Sequence, residues 1–195
     1  LLAYLFFNDG IQTVIASSRL YAAEQLKFAH EQPIAPLLPA HFAASRRALS
    51  PASLASNLVA TPANGQMQIY VRDLQTGTTI LASVGAAGDP ANAYCTEPQI
   101  SADGTAVVFG SSATNLVAGQ QFGHTHFFVR DLVAGTTARV SVATDGTLAN
   151  AQSLGAAAIS ADGRHVAFRS EARNLVADDT TAGFDVFVRD RQAST

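Results

Sequence analysis

The chain has 195 residues, of which 48% are apolar and 14% are charged, and its formal net charge is −3. So low a content of charge excludes a chain kept disordered by self-repulsion, and the sign of the net charge gives no general attraction to nucleic acid or to anionic membranes. The single cysteine, Cys95, excludes an intrachain disulfide, and we expect it to be a small buried residue.

Residues 1–41 stand apart from the rest of the chain. They begin with the short apolar run Leu1–Phe7, far below the roughly 20 residues of a membrane-spanning helix, so we expect no membrane insertion. Ser18 is a suitable N-cap for a short helix, and prolines recur at every third position from Pro33 to Pro39, as on one edge of a polyproline II segment. We therefore predict a non-repeat N-terminal segment over 1–41, partly helical, that ends in a Pro-rich connector.

Beyond residue 41, three short motifs recur in one register, at intervals of 58 or 59 residues. NLVA occupies Asn57–Ala60, Asn115–Ala118 and Asn174–Ala177; VRD occupies Val71–Asp73, Val129–Asp131 and Val188–Asp190; ISADG occupies Ile100–Gly104 and Ile159–Gly163. These intervals divide the repeat region 42–195 into a first unit (42–99), a second unit (100–158) and an incomplete third unit (159–195).

The sequence of each unit predicts four strands joined by hairpins. In the second unit one strand ends in the Asp-Gly turn of ISADG, and three runs rich in β-branched and aromatic residues follow, the last after the turn that succeeds VRD. Because these runs are nearly continuous in apolar residues, we expect the sheet to be covered on both faces. Four-stranded antiparallel sheets that stack in this way are typical of β-propeller blades. The predicted fold class is therefore all-β, with about two and a half propeller-type blades.

The first unit departs from this pattern at its start. Phe42–Pro51 (FAASRRALSP) aligns with Ile100–Phe109 (ISADGTAVVF), so the Asp-Gly turn is missing and Pro51 falls where the second strand should end. We expect no normal first hairpin there. A propeller needs about four to eight blades to close. We therefore expect either a piece of a longer protein or a chain that self-associates to cover its open sheet faces.

The repeated motifs resemble a known family. ISADGTAVVFGS and ISADGRHVAFRS are similar to the Ser-x-Asp-Gly-Arg/Lys signature of TolB-like (WD40-like) bacterial β-propeller repeats. The continuation through NLV, DVFVRD and GTTxRVS is similar to a long-blade subgroup common in secreted bacterial proteins, and the resemblance covers residues 57–195. It implies a propeller fold and an extracytoplasmic location, secreted or periplasmic. It implies no reaction, because the family consists mostly of uncharacterised binding modules.

The acidic stretch of the third unit is the candidate site. Asp179, Thr181 and Asp185 present oxygens at a spacing typical of a calcium loop, with Asp178 adjacent. The resembled subgroup often has Asp-Thr-Asn-Gly-x-x-Asp here, which implies a calcium loop, although in this chain Thr181 replaces the Asn and Ala182 replaces the Gly. The corresponding stretches of the other two units lack acids. The alternatives are a calcium site that stiffens this loop in the third unit alone and an ordinary polar loop without a cofactor.

A second cluster is the H-x-H pair of His124 and His126. On a strand, both rings would lie on one face, as in a two-histidine metal clip. Zinc needs a third and usually a fourth ligand, and the sequence marks none. His126 also takes the position of Asp185 in the repeat, which favours drift of the repeat over metal binding.

Recurrent charged residues favour structural roles. The aspartates of the two ISADG motifs, Asp103 and Asp162, fit turn residues whose carboxylates accept from nearby backbone N–H groups. Arg72, Arg130 and Arg189 each precede an aspartate in VRD. Because they occur in every unit, we expect them to act at strand ends or between blades.

The sequence contains no catalytic constellation. A Gly-x-Ser-x-Gly motif, a phosphate-binding glycine loop and a His/Cys metal cluster are all missing from it. This favours a non-enzymatic module that binds or scaffolds a protein or glycan ligand. The alternative is an accessory propeller of a larger hydrolase, a prolyl-oligopeptidase-type peptidase or a polysaccharide-cleaving enzyme, whose catalytic residues lie outside this chain.

Overall fold

The computed structural model describes residues 58–60, 64–119 and 123–192, and the backbone of 46–49. The predicted N-terminal segment 1–41, with its helix and its Pro-rich connector, lies outside the described residues. Every element in the described part of the chain is a β-strand. Within these residues no helix is long and apolar enough to span a membrane.

The strands form three antiparallel sheets that follow one another along the chain. The first sheet contains β1 (Arg46–Leu49), β2 (Tyr70–Asp73) and β3 (Thr79–Leu81); the second contains β4 (Cys95–Ile100), β5 (Ala106–Ser111), β6 (His126–Asp131) and β7 (Thr136–Arg139); the third contains β8 (Ala158–Ile159), β9 (His165–Ser170) and β10 (Asp185–Asp190). Each strand pairs with its neighbour in sequence, so every sheet is a meander of hairpins. The predicted all-β architecture of antiparallel sheets is confirmed, with all four strands of a unit in the second sheet and three described strands in each of the other two. β4 begins within the last residues assigned to the first unit.

The Ser-Ala-Asp-Gly turn joins β4 to β5. Ser101 Oγ donates to Asp103 Oδ1 at 2.5 Å, and the backbone N–H of Thr105 donates to the same oxygen at 3.0 Å. Gly104 supplies the positive φ, 70°, that closes the turn. Asp162 accepts the matching hydrogen bonds in the third sheet. The turn role predicted for both aspartates is confirmed.

The core lies on both faces of the second sheet. All of β5 is buried, and successive side chains of a strand point to opposite faces. Val107 and Phe109 therefore pack against the first sheet, whereas Ala106 and Val108 pack against the third. This face-to-face stacking of successive sheets is the arrangement predicted for part of a β-propeller.

Each space between sheets holds one apolar cluster, and in the space between the second and third sheets two aromatic rings from different sheets meet. The cluster between the first and second sheets contains Ile69, Val71, Ala82, Ala91, Cys95, Val107, Phe109, Ala113, Leu116 and Phe128. The cluster between the second and third sheets contains Ala106, Val108, Phe127, Val129, Val140, Ala149, Ala157, Val166, Phe168, Ala172 and Leu175. The rings of Phe127 and Phe168, from neighbouring sheets, lie with centroids 6.0 Å apart, a contact that contributes roughly 0.5–1.5 kcal/mol beyond the burial of its area.

The first sheet keeps a shortened counterpart of β5. β1 pairs with β2 so that Arg46 faces Asp73, just as Ala106 faces Asp131 in the second sheet. β1 therefore takes the place of β5 although its sequence is RRAL, and it ends before Pro51, which cannot donate a ladder hydrogen bond. Of the hairpin that we expected to be abnormal, β1 is the strand that lies within the described residues. The residues that precede β1 lie outside them.

β4 contains a bulge that the third unit repeats. Its pairing with β5 shifts register after Thr96, where Glu97 adopts a φ of 50° and Pro98 has no N–H to donate. Gly155 stands at the equivalent position of the third unit with a φ of 81°. Both units thus have a residue with positive φ at this point, at a cost of about 1–2 kcal/mol for Glu97, which is not glycine.

The asparagine of NLVA joins its loop to the connection that enters its sheet. Asn115 Oδ1 accepts from the backbone N–H of Asn92 at 2.9 Å, and Asn115 Nδ2 donates to the carbonyl of Pro90 at 2.8 Å. Asn92 Oδ1 accepts in return from the N–H of Thr114 at 2.9 Å. We call this reciprocal arrangement the asparagine clasp.

The third unit repeats the clasp with Asn174 and Asn150. The N–H of Asn150 donates to Asn174 Oδ1 at 3.0 Å, Asn174 Nδ2 donates to the carbonyl of Leu148 at 2.8 Å, and Asn150 Oδ1 accepts from the N–H of Arg173 at 3.1 Å. A side-chain amide supplies an acceptor and a donor at once. This explains why NLVA keeps its asparagine in these units.

Asn174→Ala removes two of the three hydrogen bonds of one clasp, so we expect the free energy of unfolding to fall by about 1–2 kcal/mol. Urea denaturation measures the change. Thr180→Ala, at an exposed position of the same loop, is the control and should stay within about 0.5 kcal/mol of the wild type. Equal losses in the two variants would contradict the clasp.

Candidate functional site

The loop between β9 and β10 brings the three predicted ligands together. Thr181 Oγ1 lies 3.1 Å from Asp179 Oδ1 and 2.5 Å from Asp185 Oδ2, and the N–H of Thr181 donates to Asp179 Oδ1 at 3.2 Å. Asp178 has a φ of 64° and turns the chain just before this group. Asp185 is the first residue of β10, where its pairing with Ser170 holds its backbone. We call Asp179, Thr181 and Asp185 the acidic loop site.

Two carboxylates that converge on one hydroxyl fit a hard cation in donor chemistry. The hydroxyl of Thr181 carries one proton and can donate to one of the two carboxylates at a time. Its contact with the other carboxylate brings two oxygens together without a proton between them, and a cation would offset their repulsion. Calcium takes six to eight oxygens, and backbone carbonyls and water would have to complete the shell. Thr181 is exposed and both aspartates are half-buried, so water has access. Calcium remains a prediction at this site.

Larger groups of metal-ligating side chains are not found in the described residues. Among these residues no three or more His, Cys, Asp or Glu side chains gather closely enough to hold a metal ion. The acidic loop site has only two such side chains. Any cation there would therefore depend on the Thr181 hydroxyl and on oxygens from outside the carboxylates.

The H-x-H pair does not form the two-histidine face that a strand would give. His126 is the first residue of β6 and only 4% exposed, whereas His124 precedes the strand and is exposed. The two rings lie edge to face with centroids 6.2 Å apart. His126 Nδ1 accepts from Arg139 Nη2 at 2.8 Å, so this ring nitrogen is bonded to a guanidinium.

Burial dominates the ionisation of this pair. Burial, together with the charges of Arg139 and His124, lowers the pKa of His126 to about 3. Burial also lowers the pKa of Arg139 to about 10. At pH 7 a neutral imidazole therefore accepts from a charged guanidinium.

The position three residues before the valine of VRD has a different polar partner in each sheet; it is Gln68 in the first, His126 in the second and Asp185 in the third. In the first sheet Gln68, fully buried, donates to the carbonyl of Ala91 at 2.8 Å. In the second sheet the position is His126, whose partner is Arg139. Arg139 also donates to the carbonyl of Ala149 at 3.3 Å. In the third sheet the position belongs to the acidic loop site. Because each sheet satisfies this position with its own partners, the residue could change from one unit to the next without leaving a buried polar group unpaired.

The arginine of VRD connects strands and sheets. Arg130 Nη1 donates to Thr137 Oγ1 at 3.2 Å, and Thr137 Oγ1 donates to the carbonyl of Val84, in the first unit, at 2.6 Å. Arg189 Nη1 donates to the carbonyl of Ala143, in the second unit, at 3.2 Å. The equivalent arginine of the first sheet makes the same strand-to-strand bond as that of the second. The predicted structural role is confirmed.

Cys95 is a buried residue, as expected. It is 2% exposed, and its Sγ lies 3.3 Å from Ser111 Oγ. Burial raises the pKa of the Cys95 thiol to about 11, although the hydrogen bond with Ser111 opposes the rise. The thiol is therefore protonated at pH 7, as is typical of a buried structural cysteine.

Comparisons with known proteins find similarity among solved structures. No family model matches the chain, and no curated sequence matches it. The crystal structure of TolB from Acinetobacter baumannii is 20% identical with a TM-score of 0.38, over 66% of this chain and 25% of that one. A putative TolB from Agrobacterium tumefaciens is 18% identical with a TM-score of 0.39, over 68% and 40%. The tricorn protease is 21% identical with a TM-score of 0.37, over 60% and 10%.

This chain therefore spans less than half the length of each of these three proteins. Membership of the TolB-like repeat family remains a prediction from the motifs.

His126 makes the stability of the chain depend on pH. Its pKa of about 3 in the folded chain lies below the roughly 6.5 of an unfolded histidine. The unfolded state therefore binds more protons between these values, and the stabilisation present above about pH 6.5 is lost as the pH falls toward 3. We expect a slope of up to about 1.4 kcal/mol per pH unit in this window, measured by urea denaturation at several pH values.

His126→Gln is the matched control, because glutamine occupies this position in the first sheet (Gln68). The variant should lose the part of the pH dependence that the histidine contributes between about pH 6.5 and 5, above the range of most carboxyl groups. The same slope in wild type and variant would show that His126 is not the group responsible.

Proposed function

We propose that this chain is a non-enzymatic β-propeller module that binds a protein or glycan through loops at the ends of its sheets. A secreted or periplasmic location belongs to the same proposal. The location is supported by the resemblance of the repeated motifs to bacterial repeats of that setting. The net charge of −3 supports a partner other than nucleic acid.

One observation carries this proposal: the recurrent polar residues hold the fold together, whereas the acidic loop site does not. The ISADG aspartates cap turns, the NLVA asparagines form clasps, and VRD arginines bond across strands and sheets. In the described part of the chain, Asp179 and Asp185 bond within their own loop, through Thr181. Because the fold does not depend on the side chains of this loop, the loop can bind a ligand.

Calcium at the acidic loop site is a further part of the proposal. The ion would draw Asp179 and Asp185 to one centre across the loop and stiffen the loop for recognition. The support is the convergence of two carboxylates on Thr181 Oγ1. The ion would have no part in any reaction.

Calcium should raise the melting temperature above that measured in chelator. At a concentration about 100-fold above the dissociation constant, ligand binding stabilises the folded state by about 2.7 kcal/mol. Titration calorimetry with calcium chloride and thermal melts with and without EGTA test this. The double variant Asp179→Asn plus Asp185→Asn should abolish both the heat of binding and the shift.

Asp145→Asn is the matched control. Asp145 Oδ1 accepts from the N–H of Thr147 at 2.9 Å, in the same Asp-x-Thr turn that Asp179 makes with Thr181. Asp145 has no second carboxylate in its turn sequence, so its variant should keep the wild-type response. A wild-type chain that melts alike in calcium and in EGTA would end the calcium proposal.

The binding function is tested on the whole chain with defined probes. We expect a glycan array or a panel of immobilised extracellular proteins to show saturable binding that the Asp179→Asn plus Asp185→Asn variant weakens by at least about tenfold and the Asp145→Asn variant keeps. Fluorogenic ester, peptide and glycoside substrates should show no turnover. Turnover that copurifies with the chain would refute the non-enzymatic part, and binding equal in all variants would refute the role of the loop.

A further inference from the structure

The connection into the second sheet hydrogen-bonds to the residues that lead into β2. The backbone N–H of Cys95 donates to the carbonyl of Met67 at 2.8 Å. Earlier in the connection, the carbonyl of Ala91 accepts from Gln68 Nε2, also at 2.8 Å. We call Met67, Gln68, Ala91 and Cys95 the first junction. The side chain that donates in this junction is an uncharged amide.

The connection into the third sheet makes the same backbone contacts 58 residues further along the chain, but with a charged donor. The N–H of Ser153 donates to the carbonyl of Thr125 at 2.8 Å. The carbonyl of Ala149 accepts from Arg139 Nη2 at 3.3 Å, and the same nitrogen donates to His126 Nδ1 at 2.8 Å. We call these five residues the second junction. An imidazole and a guanidinium thus replace the single amide of the first junction.

The contact between His126 and Arg139 requires a neutral imidazole. Nδ1 can accept from the guanidinium only while it carries no proton of its own. A proton on this nitrogen would remove the hydrogen bond and set two cations against each other. Since His126 is only 4% exposed, water cannot screen that repulsion while the junction stays closed.

The groups around His126 do not compensate for a charge on its ring. On β5 its pairing partner is the uncharged Ser111, and beyond it lies Cys95, whose thiol is neutral because burial raises its pKa to about 11. The connection presents a carbonyl. The charges that act on the ring come from Arg139 and from His124, and both oppose protonation of His126. Release of the guanidinium is therefore the way in which the junction accommodates a proton.

We propose that acid opens the second junction and leaves the first junction closed. When His126 takes up a proton, Arg139 loses its acceptor, and the connection into the third sheet loses the donor that Arg139 supplies. Gln68 does not titrate, so the first junction has no such response. The connection into the third sheet therefore loosens in acid while the first two sheets stay joined.

The direction of the response follows from the difference in proton binding between the two forms. In the closed junction the pKa of His126 is about 3, whereas an opened imidazole has an ordinary pKa of about 6.5. The open form binds more protons between these values, so its population rises as the pH falls below about 6.5. Above this pH the closed junction keeps its full stability.

Hydrogen exchange of the wild-type chain at pH 7 and pH 5, corrected for the intrinsic exchange rate, tests the proposal. The N–H groups of Ser153 and Cys95 are matched probes, since each donates to a carbonyl at 2.8 Å at the same position of its junction. We expect the protection of Ser153 to fall by roughly 25-fold, because an opened imidazole takes up a proton in this range. The protection of Cys95 should change by less than about threefold.

His126→Gln gives the second junction the amide of the first, and it should abolish the acid-induced loss of protection at Ser153. His124→Gln is the matched control, because it removes the exposed neighbouring ring and should keep the loss. Circular dichroism verifies that both variants fold, and the comparison of the two junctions in the wild type needs neither variant.

Three outcomes would overturn the proposal. Equal losses of protection at Ser153 and Cys95 would show that acid opens the whole stack and not one junction. Unchanged protection at Ser153 between pH 7 and pH 5 would show that the junction does not respond to acid. A loss that persists in the folded His126→Gln variant would assign the response to another group.

Discussion

The second sheet needs a sheet on each of its faces, and the rest of the structure depends on this requirement. β5 is buried along its whole length, so neither of its faces can meet water without a large loss of hydrophobic stabilisation. A unit of this composition cannot be stable alone, and its neighbours must repeat the same apolar positions. The clasps and the arginine bonds then act at the edges, where they join connections and strands that the stacking has already brought together.

The residues that hold the sheets together therefore differ from those of the candidate site. The irregular stretch of β4 and its counterpart in the third unit both contain a residue with positive φ, although this residue is Glu97 in one and Gly155 in the other. The position occupied by Gln68, His126 and Asp185 varies, since each residue finds partners within its own sheet. Side chains at the loops can therefore change without loss of the stack, and the acidic loop site is where such a change has produced convergent carboxylates.

Much of the fold follows from the sequence because its signals are local or repeated. The ISADG turns, the strand runs and the spacing of Asp179, Thr181 and Asp185 each lie within a few consecutive residues. β1 was not predictable in this way, because RRAL has no strand pattern and pairs through the tertiary position of β2. The asparagine clasp left a visible sign, the recurrence of Asn92 and Asn150, but its partners are distant in sequence.

The contact between His126 and Arg139 shows the same limit. The two residues lie on paired strands of one sheet, and nothing in the H-x-H motif indicates that a guanidinium reaches the ring. Spacing alone favoured a shared face for His124 and His126, whereas burial and the start of β6 separate them. Tertiary packing decided the outcome in both cases.

The stacking of sheets also makes stability uneven along the chain. Local opening of the second sheet breaks two interfaces, whereas opening of the third breaks only the one with the second sheet, so the third sheet belongs to the less protected end of the described stack. The acidic loop site lies on that sheet. A ligand bound there would stabilise the closed form of a sheet that, among the described residues, is held by one interface, and would thereby reduce the local opening of that end of the stack.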